Sequence, residues 1–422
     1  MSTSDKKIFG QELIDQASTY VSNLNGSAIP ELGEARAKAL KTLTEEGFPG
    51  PKAEEYKFTK LTRAIASKFD LSQQNAVEDL PKDFIEDIRT KHEGANLLFF
   101  INGQYNTEYS VLVSSEEVLK IQSLKDYAAS NDLNALVQKG DDPFEVQNAV
   151  YANDGIVAEI AKGKVVSEPV ICYYLSLNNG KANHGFVKNF YVANENSQAD
   201  FVHFHLGIGS ESSFINESKT YIVKENANVN LYKIQEESSQ SIYVGNTYVH
   251  QSRTSTFSSY VFTLDGAVVR NNLYIEVDGE GCESNMYGLY LAKGKTHVDN
   301  HTVVDHKEPN CNSNELYKGV LDDESRAVFN GKIFVRQAAQ KTNAFQSNGN
   351  ILLTDTAVIN TKPQLEIWAD DVKCSHGCTT GQLDEEAIFY LRARGISLDK
   401  AKSMILVANV AEVIEKINLV AE

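Results

Sequence analysis

From Phe9 onward apolar residues recur three and four apart. IFGQELIDQASTYV and PELGEARAKALKTL each place them on one helical stripe, with Pro30 suited to a first turn, so the spacing predicts a helical region over residues 1–95. Near Ala95 the period drops to two. NLLFFINGQYNTEYSVLV reads as two strands about Asn102-Gly103, a dipeptide that accepts the positive φ angles of a type I′ hairpin. A helical interruption is expected near residues 115–149. From about Val157 to Thr361 short runs rich in Val, Ile, Phe, Tyr and Thr follow one another, among them ADFVHFHLGI, ANVNLYKIQ, STFSSYVFTL, MYGLYLA and RAVFNGKIFV, with Asn, Gly, Asp and Ser between them. So long a tract of strand without a helical crossover leaves a sandwich, a barrel, a propeller or a solenoid. Leu-Tyr pairs beginning at Leu231, Leu273 and Leu289 have similar polar flanks and point to stacked rungs. Their irregular spacing keeps a solenoid only slightly ahead of a sandwich.

Helical spacing returns near the C-terminus. LDEEAIFYLRARG aligns Leu383, Ala387, Ile388 and Leu391, carries acids in its first turn and arginines in its last, and ends on Gly395 as the C′ residue. A second helix is expected after Ser397 as N-cap, with Asp399 in its first turn, running through MILVANVAEVIEKI. The expected division is thus 1–95 helical, 96–365 a β core, and 366–422 helical.

The 422 residues exceed what one hydrophobic core requires. Forty Lys and Arg against fifty-seven Asp and Glu give a net charge of -17, with no basic run dense enough to offset it, so nucleic acid is excluded as a partner. No window nears the roughly 18 apolar residues that span a bilayer, and MSTSDKKIFGQELIDQAS has no signal-peptide core, so a soluble, cytoplasmic protein is expected. The five cysteines, Cys172, Cys282, Cys311, Cys374 and Cys378, are few and mostly isolated, which fits reduced thiols rather than a disulfide framework.

Several chemical motifs fail on spacing. Gly294-Lys295-Thr296 imitates the end of a phosphate-binding loop, but the earlier glycine that loop needs is replaced by Leu289. His297, His301 and His306 are metal-ligand types, with Asp299 and Asp305 beside them. In an extended strand, however, the third points away from the first two, so hydrogen-bonded histidines in solenoid turns are the plainer reading. His203 and His205 share a strand face, and two ligands do not make a site. No nucleophile elbow is present. KCSHGCTTGQ is different: extended, it places Cys374, His376 and Cys378 on one face about 6.6 Å apart, within reach of a soft metal, although the spacing matches neither zinc ribbons nor haem attachment and buried inert thiols remain the alternative.

The stretch PQLEIWADDVKCSHGCTTGQLDEEAIFYLRARGIS, residues 363–397, resembles the C-terminal signature of the SufB/SufD family of iron-sulfur cluster assembly proteins. TVVDHKEPNCNSNELYKGVLDDESRAVFNGKIFVRQAAQKTNAFQSNGNILL continues the likeness upstream, and EEYKFTKL and DPFEVQNAVYANDGIVAEIAKGKVVSEPV are similar to elements of the SufD branch. Where the SufB branch has Thr-Gln-Cys-Asp-Ser this chain has Asn343-Ala344-Phe345-Gln346-Ser347-Asn348 with no thiol, which also favours the SufD branch. Cys378 departs from the family, where alanine is more usual.

The resemblance implies a right-handed parallel β-helix flanked by helical regions. It implies a non-catalytic scaffold that pairs with a SufB-like sister subunit and docks a SufC-like ABC ATPase, which alone binds ATP. His376 takes the place of a histidine held to face the sister's cysteine, where a transient Fe-S cluster forms. Cys374 is a candidate assistant and Cys378 a further candidate ligand. Docking falls to Phe389, Tyr390, Leu391, Arg394 and Gly395. No tightly bound cofactor is expected in the isolated chain, and a homodimer is the form open to it without the sister. A solenoid enzyme acting on polysaccharides and a stand-alone metal-binding protein are the competing readings.

Overall fold

The computed structural model describes residues 8–417 apart from 25–28, 74–79, 134–135, 137–139, 179 and 210. The first seven residues, the tail after 417 and part of the expected interruption lie outside the described residues. Helices α1 (Gln11–Asn23), α2 (Gly33–Glu46), α3 (Leu61–Ala66) and α4 (Lys82–Lys91) come first. The hairpin β1 (Asn96–Ile101) and β2 (Gln104–Val111) turns at Asn102 and Gly103, with φ of 50° and 81°, as a type I′ turn requires. The region expected to be helical holds a strand, β3 (Leu119–Ser123), before α5 (Leu124–Ala128) and α6 (Pro143–Tyr151). That strand pairs antiparallel with β4 (Ile156–Ile160), a tertiary partner that overrides local pattern.

Beyond β4 the chain alternates between two sheets. One takes β5 (Val170–Leu177), β7 (Gln198–Ile208), β9 (Asn228–Glu236), β11 (Thr256–Asp265), β13 (Glu283–Ala292), β15 (Asn312–Leu321), β17 (Asn343–Leu352) and β19 (Lys373–Gly381). The other takes β6 (Asn183–Ala193), β8 (Ser213–Val223), β10 (Ile242–Gln251), β12 (Val268–Val277), β14 (His297–His306), β16 (Arg326–Val335) and β18 (Val358–Ile367). Each strand pairs in parallel with the strand two positions on, which makes a β-solenoid of about 8 turns. Helices α7 (Glu385–Ala393) and α8 (Leu398–Ile414) follow. The expected boundary after residue 365 therefore cuts β18 short and leaves β19 on the helical side. KCSHGCTTG has little intrinsic strand preference and is extended because it pairs in register with β17.

The rungs register on the corner that leads into the first sheet. Asn196, Asn226, Thr254, Gly281, Asn310 and Lys341 all have positive φ there, and the backbone N–H of each donates to a carbonyl of the next coil, as from Thr254 to Glu280 at 2.8 Å. The residue after each turns inward and is small: Ser255, Cys282, Cys311 and Thr342 are all fully buried. Ser255, Cys282 and Thr342 each donate to the carbonyl three residues back, at 2.7, 3.2 and 2.9 Å. The Leu-Tyr pairs do not mark this repeat. Leu231 faces inward in β9, Leu289 faces outward in β13, and Leu273 lies in the other sheet. The outer ladder is instead Tyr232, Tyr260 and Tyr287, with rings 4.6 and 5.3 Å apart.

Helices α1, α2 and α6 bury Leu13, Leu43 and Phe144 against Phe186, Phe214 and Ile242 on the outer face of the second sheet. Helix α4 and the end of α8 cover part of the first, through Ile88 and Val413. At the N-terminal end Phe100 stacks on Tyr174 at 4.6 Å and β2 and β3 turn the pairing antiparallel. Among the described residues no such covering closes the other end: β19 and β18 are the outermost strands of their sheets.

Candidate functional site

Side chains alternate along a strand, so register decides which of them enter the solenoid. One inward column of the first sheet reads Phe201, Leu231, Ser259, Met286, Glu315, Gln346 and then His376. Neighbouring columns end Ser313, Ala344, Cys374 and Tyr317, Asn348, Cys378. The three candidate ligands thus share the inward face of β19. With no coil above them, His376 and Cys378 are exposed and Cys374 is half-buried, its thiol raised by burial.

The floor beneath them is polar. Gln346 Nε2 donates to Glu315 at 2.7 Å and Thr302 Oγ1 donates to the same carboxyl at 2.5 Å, while burial pushes Glu315 up to about 7. Cys378 Sγ donates to Thr361 Oγ1 of β18 at 3.0 Å, so it reaches across the mouth between the two sheets. Lys373 N–H donates to Thr342 of the preceding coil at 2.9 Å. In a parallel ladder the alternate residues, Cys374, His376, Cys378 and Thr380, then turn their backbone groups away from β17. The edge therefore offers free donors and acceptors along with the three side chains. Apolar groups flank it: Phe345 and Trp368 are about half exposed, and Arg336 lies 5.1 Å over the Trp368 ring.

Helix α7 buries none of its residues. Asp384 caps it, accepting from Glu386 and Ala387, and Gly395 closes it at φ 85°. Phe389 is 74% and Tyr390 56% exposed, with the Arg394 guanidinium 3.5 Å from the Tyr390 ring centre and Leu391 half-buried. Ser397 caps α8, and Val413 anchors its far end beside Leu289 and Leu316 while Lys318 pairs with Glu412 at 2.7 Å. Helix α7 therefore stands off the solenoid with an apolar face in solvent, while α8 rests on it at its far end.

His297, His301 and His306 do not converge on one point, and they lie within β14 rather than in turns. His297 meets Thr59 at 2.8 Å, His301 meets Asp299 at 2.8 Å, and His306 faces inward onto Ser313 at 2.9 Å, lowered to about 4 by burial. Asp299 also accepts from the buried Arg270 at 2.6 Å, and Arg270 lies 4.0 Å over Tyr56. This network pins EEYKFT to the second sheet, and sequence reading missed it because its partners are more than two hundred residues apart. Among the described residues two sets have the spacing of metal ligands, His203–His205–Glu217 inside the solenoid and His250–Glu276–Asp278 outside. Each already holds a cation: Lys219 Nζ lies 2.8 Å from Glu217 and 3.0 Å from His203, and Lys307 Nζ lies 2.9 and 2.7 Å from Glu276 and Asp278. Gly294 turns between two strands, so the phosphate-loop imitation has no helix to open.

Two family models match the chain: the SufBD protein N-terminal region over residues 10–171, and the SufBD core domain of SUF-system FeS cluster assembly over 176–409. The chain is 28% identical over 387 residues to the iron-sulfur cluster assembly protein SufD of Escherichia coli, covering 89% of this chain and 87% of that one. It is 28% identical to an iron-sulfur cluster assembly SufBD family protein of Synechocystis, covering 98% and 92%, and 27% identical to the chloroplastic protein ABCI7 of Arabidopsis thaliana, covering 97% and 87%.

Proposed function

We infer from one premise, that this chain belongs to the SufBD family of SUF-system iron-sulfur cluster assembly proteins, that it is the SufD-type scaffold subunit of an assembly complex. The observation that carries this reading is the open end of the solenoid, where an edge strand paired on one side only presents His376. A SufB-like sister adds its own terminal strand to β19, which satisfies the free backbone groups of both. The nascent Fe-S cluster is cargo at that junction. Neutral imidazole ligates iron at one ring nitrogen and is steered through the other, a role that suits His376, with Cys374 beside it and Cys378 as a further thiol. In this reading the chain positions the cargo and its partners do the chemistry, which makes it a scaffold rather than an enzyme.

The exposed Phe389 and Tyr390, with Leu391, Arg394 and Gly395 shaping the end of α7, receive a SufC-like ABC ATPase. ATP belongs to that partner. Because α8 rests on β13 and β15, movement of the docked helices bears on the solenoid near its open end. Without the sister, the same edge pairs with a second copy. The deciding test is gentle purification of tagged chain from its own host with identification of what accompanies it. Recovery of an ABC ATPase and a SufB-like chain supports the scaffold. A chain recovered alone, with tightly bound metal, overturns it.

A further inference from the structure

The corner ladder contains a pair of thiols that the assembly reading does not use. Cys282 and Cys311 are fully buried and occupy the same place in consecutive coils, framed by bonds from Gly281 N–H to Pro309 and from Asn312 N–H to Cys282 at 3.2 and 2.9 Å. Both Sγ atoms donate to one carbonyl, that of Gly279, at 3.2 and 3.3 Å, so they point into the same space. Parallel strands run about 4.8 Å apart, inside the roughly 4.4–6.8 Å that disulfides span between Cα atoms. Ser255 and Thr342 fill the equivalent places one coil before and one coil after, so a hydroxyl satisfies the turn and thiols are not needed for packing. What two successive thiols add is redox chemistry.

We propose that Cys282 and Cys311 are a modification site, closing to a reversible disulfide between neighbouring coils when the chain meets a peroxide. Cys282 is the attacking member, because the neighbouring thiol lowers it against burial and Ser255 Oγ lies 3.8 Å from its Sγ. The Cys282 thiolate takes one peroxide oxygen, breaking the O–O bond and releasing water, to give a sulfenic acid. Cys311 then attacks that sulfur and expels the second water. Two thiols lose two electrons to the peroxide, and its two oxygens leave as water. The corner lies one layer below solvent, with Glu280 and Asn310 exposed beside it, so a small oxidant reaches the pair when the turn opens. A dithiol reductant returns the pair to thiols by exchange.

Cys374 and Cys378 stand about 13 Å apart along one strand and cannot bridge within the chain, which leaves a clear internal control. The full chain is treated with graded hydrogen peroxide, its remaining thiols are alkylated, and it is digested without reductant. The expected product is a peptide pair joined through Cys282 and Cys311, two hydrogens lighter than the free thiols and separated by dithiothreitol. Cys282→Ser and Cys311→Ser each remove it. The oxidised chain should also unfold at a higher denaturant concentration than the reduced one. Recovery of both cysteines alkylated, or separately as sulfinic acids, at peroxide levels that consume Cys374 and Cys378 would overturn the proposal.

Discussion

Glu315 is a carboxyl held where charge is costly. Burial raises it to about 7 from an ordinary 4.5, so between those values the folded chain holds a proton that the unfolded chain has lost. Its stabilising share is complete below the unfolded value and is lost as pH rises through 7, a change of about 3 kcal/mol at most. Urea midpoints for Glu315→Gln should therefore vary less between pH 5 and pH 8 than those of the native chain, and a parallel pair of curves would refute the burial argument. His376 and Cys374, above it, have no coil over them. The double substitution His376→Ala with Cys374→Ala should leave stability within about 0.5 kcal/mol and complex formation intact, while lowering the iron and sulfide recovered with the complex. Their shared face was legible from spacing alone, because alternation needs only an extended strand. Which way that face points was not, since it depends on the register of β19 with β17.

Helix α7 was readable from its termini: acids, arginines and Gly395 mark a helix whatever surrounds it. Its lack of burial was not readable, because an amphipathic stripe looks the same whether a neighbour covers it or not. Replacing Phe389 and Tyr390 together by Ala should leave the thermal unfolding curve in place and weaken capture of the ATPase by about 30-fold or more, the cost of losing anchors worth about 2 kcal/mol. For β19 the informative change is Thr380→Pro. The Thr380 N–H faces away from β17, so proline there spares the existing ladder and blocks an incoming strand. Light scattering and co-purification should show a monomeric chain that no longer recovers a sister. An unchanged complex would place pairing elsewhere.

For the whole chain, the alternation of short strands and polar turns gave the class, and the family likeness lifted the solenoid above the sandwich. The coil repeat itself was hidden. It resides in single residues of positive φ, Asn196, Asn226, Thr254, Gly281, Asn310 and Lys341, which differ in type and recur at uneven intervals because coils differ in length. Contacts in such a stack are mostly between neighbouring coils, and the last coil has a neighbour on one side. Amide hydrogen exchange should accordingly be fastest in β19 and β18 and slowest in the middle strands, a gradient that partner binding should flatten at the open end.

The same one-sided end has a meaning in time. During synthesis the helices and the hairpin of β1 and β2 leave the ribosome first, and each new coil briefly offers a bare edge that the next stretch of the same chain covers. After β19 the chain turns into α7 and α8, and the described residues supply no further strand. Every earlier edge is thus quenched from within, and the one that persists belongs to the last strand made, after the other coils are in place. In the proposed complex a sister subunit meets its docking edge only after every other described coil has formed, so the direction of translation itself guards against joining half-built partners.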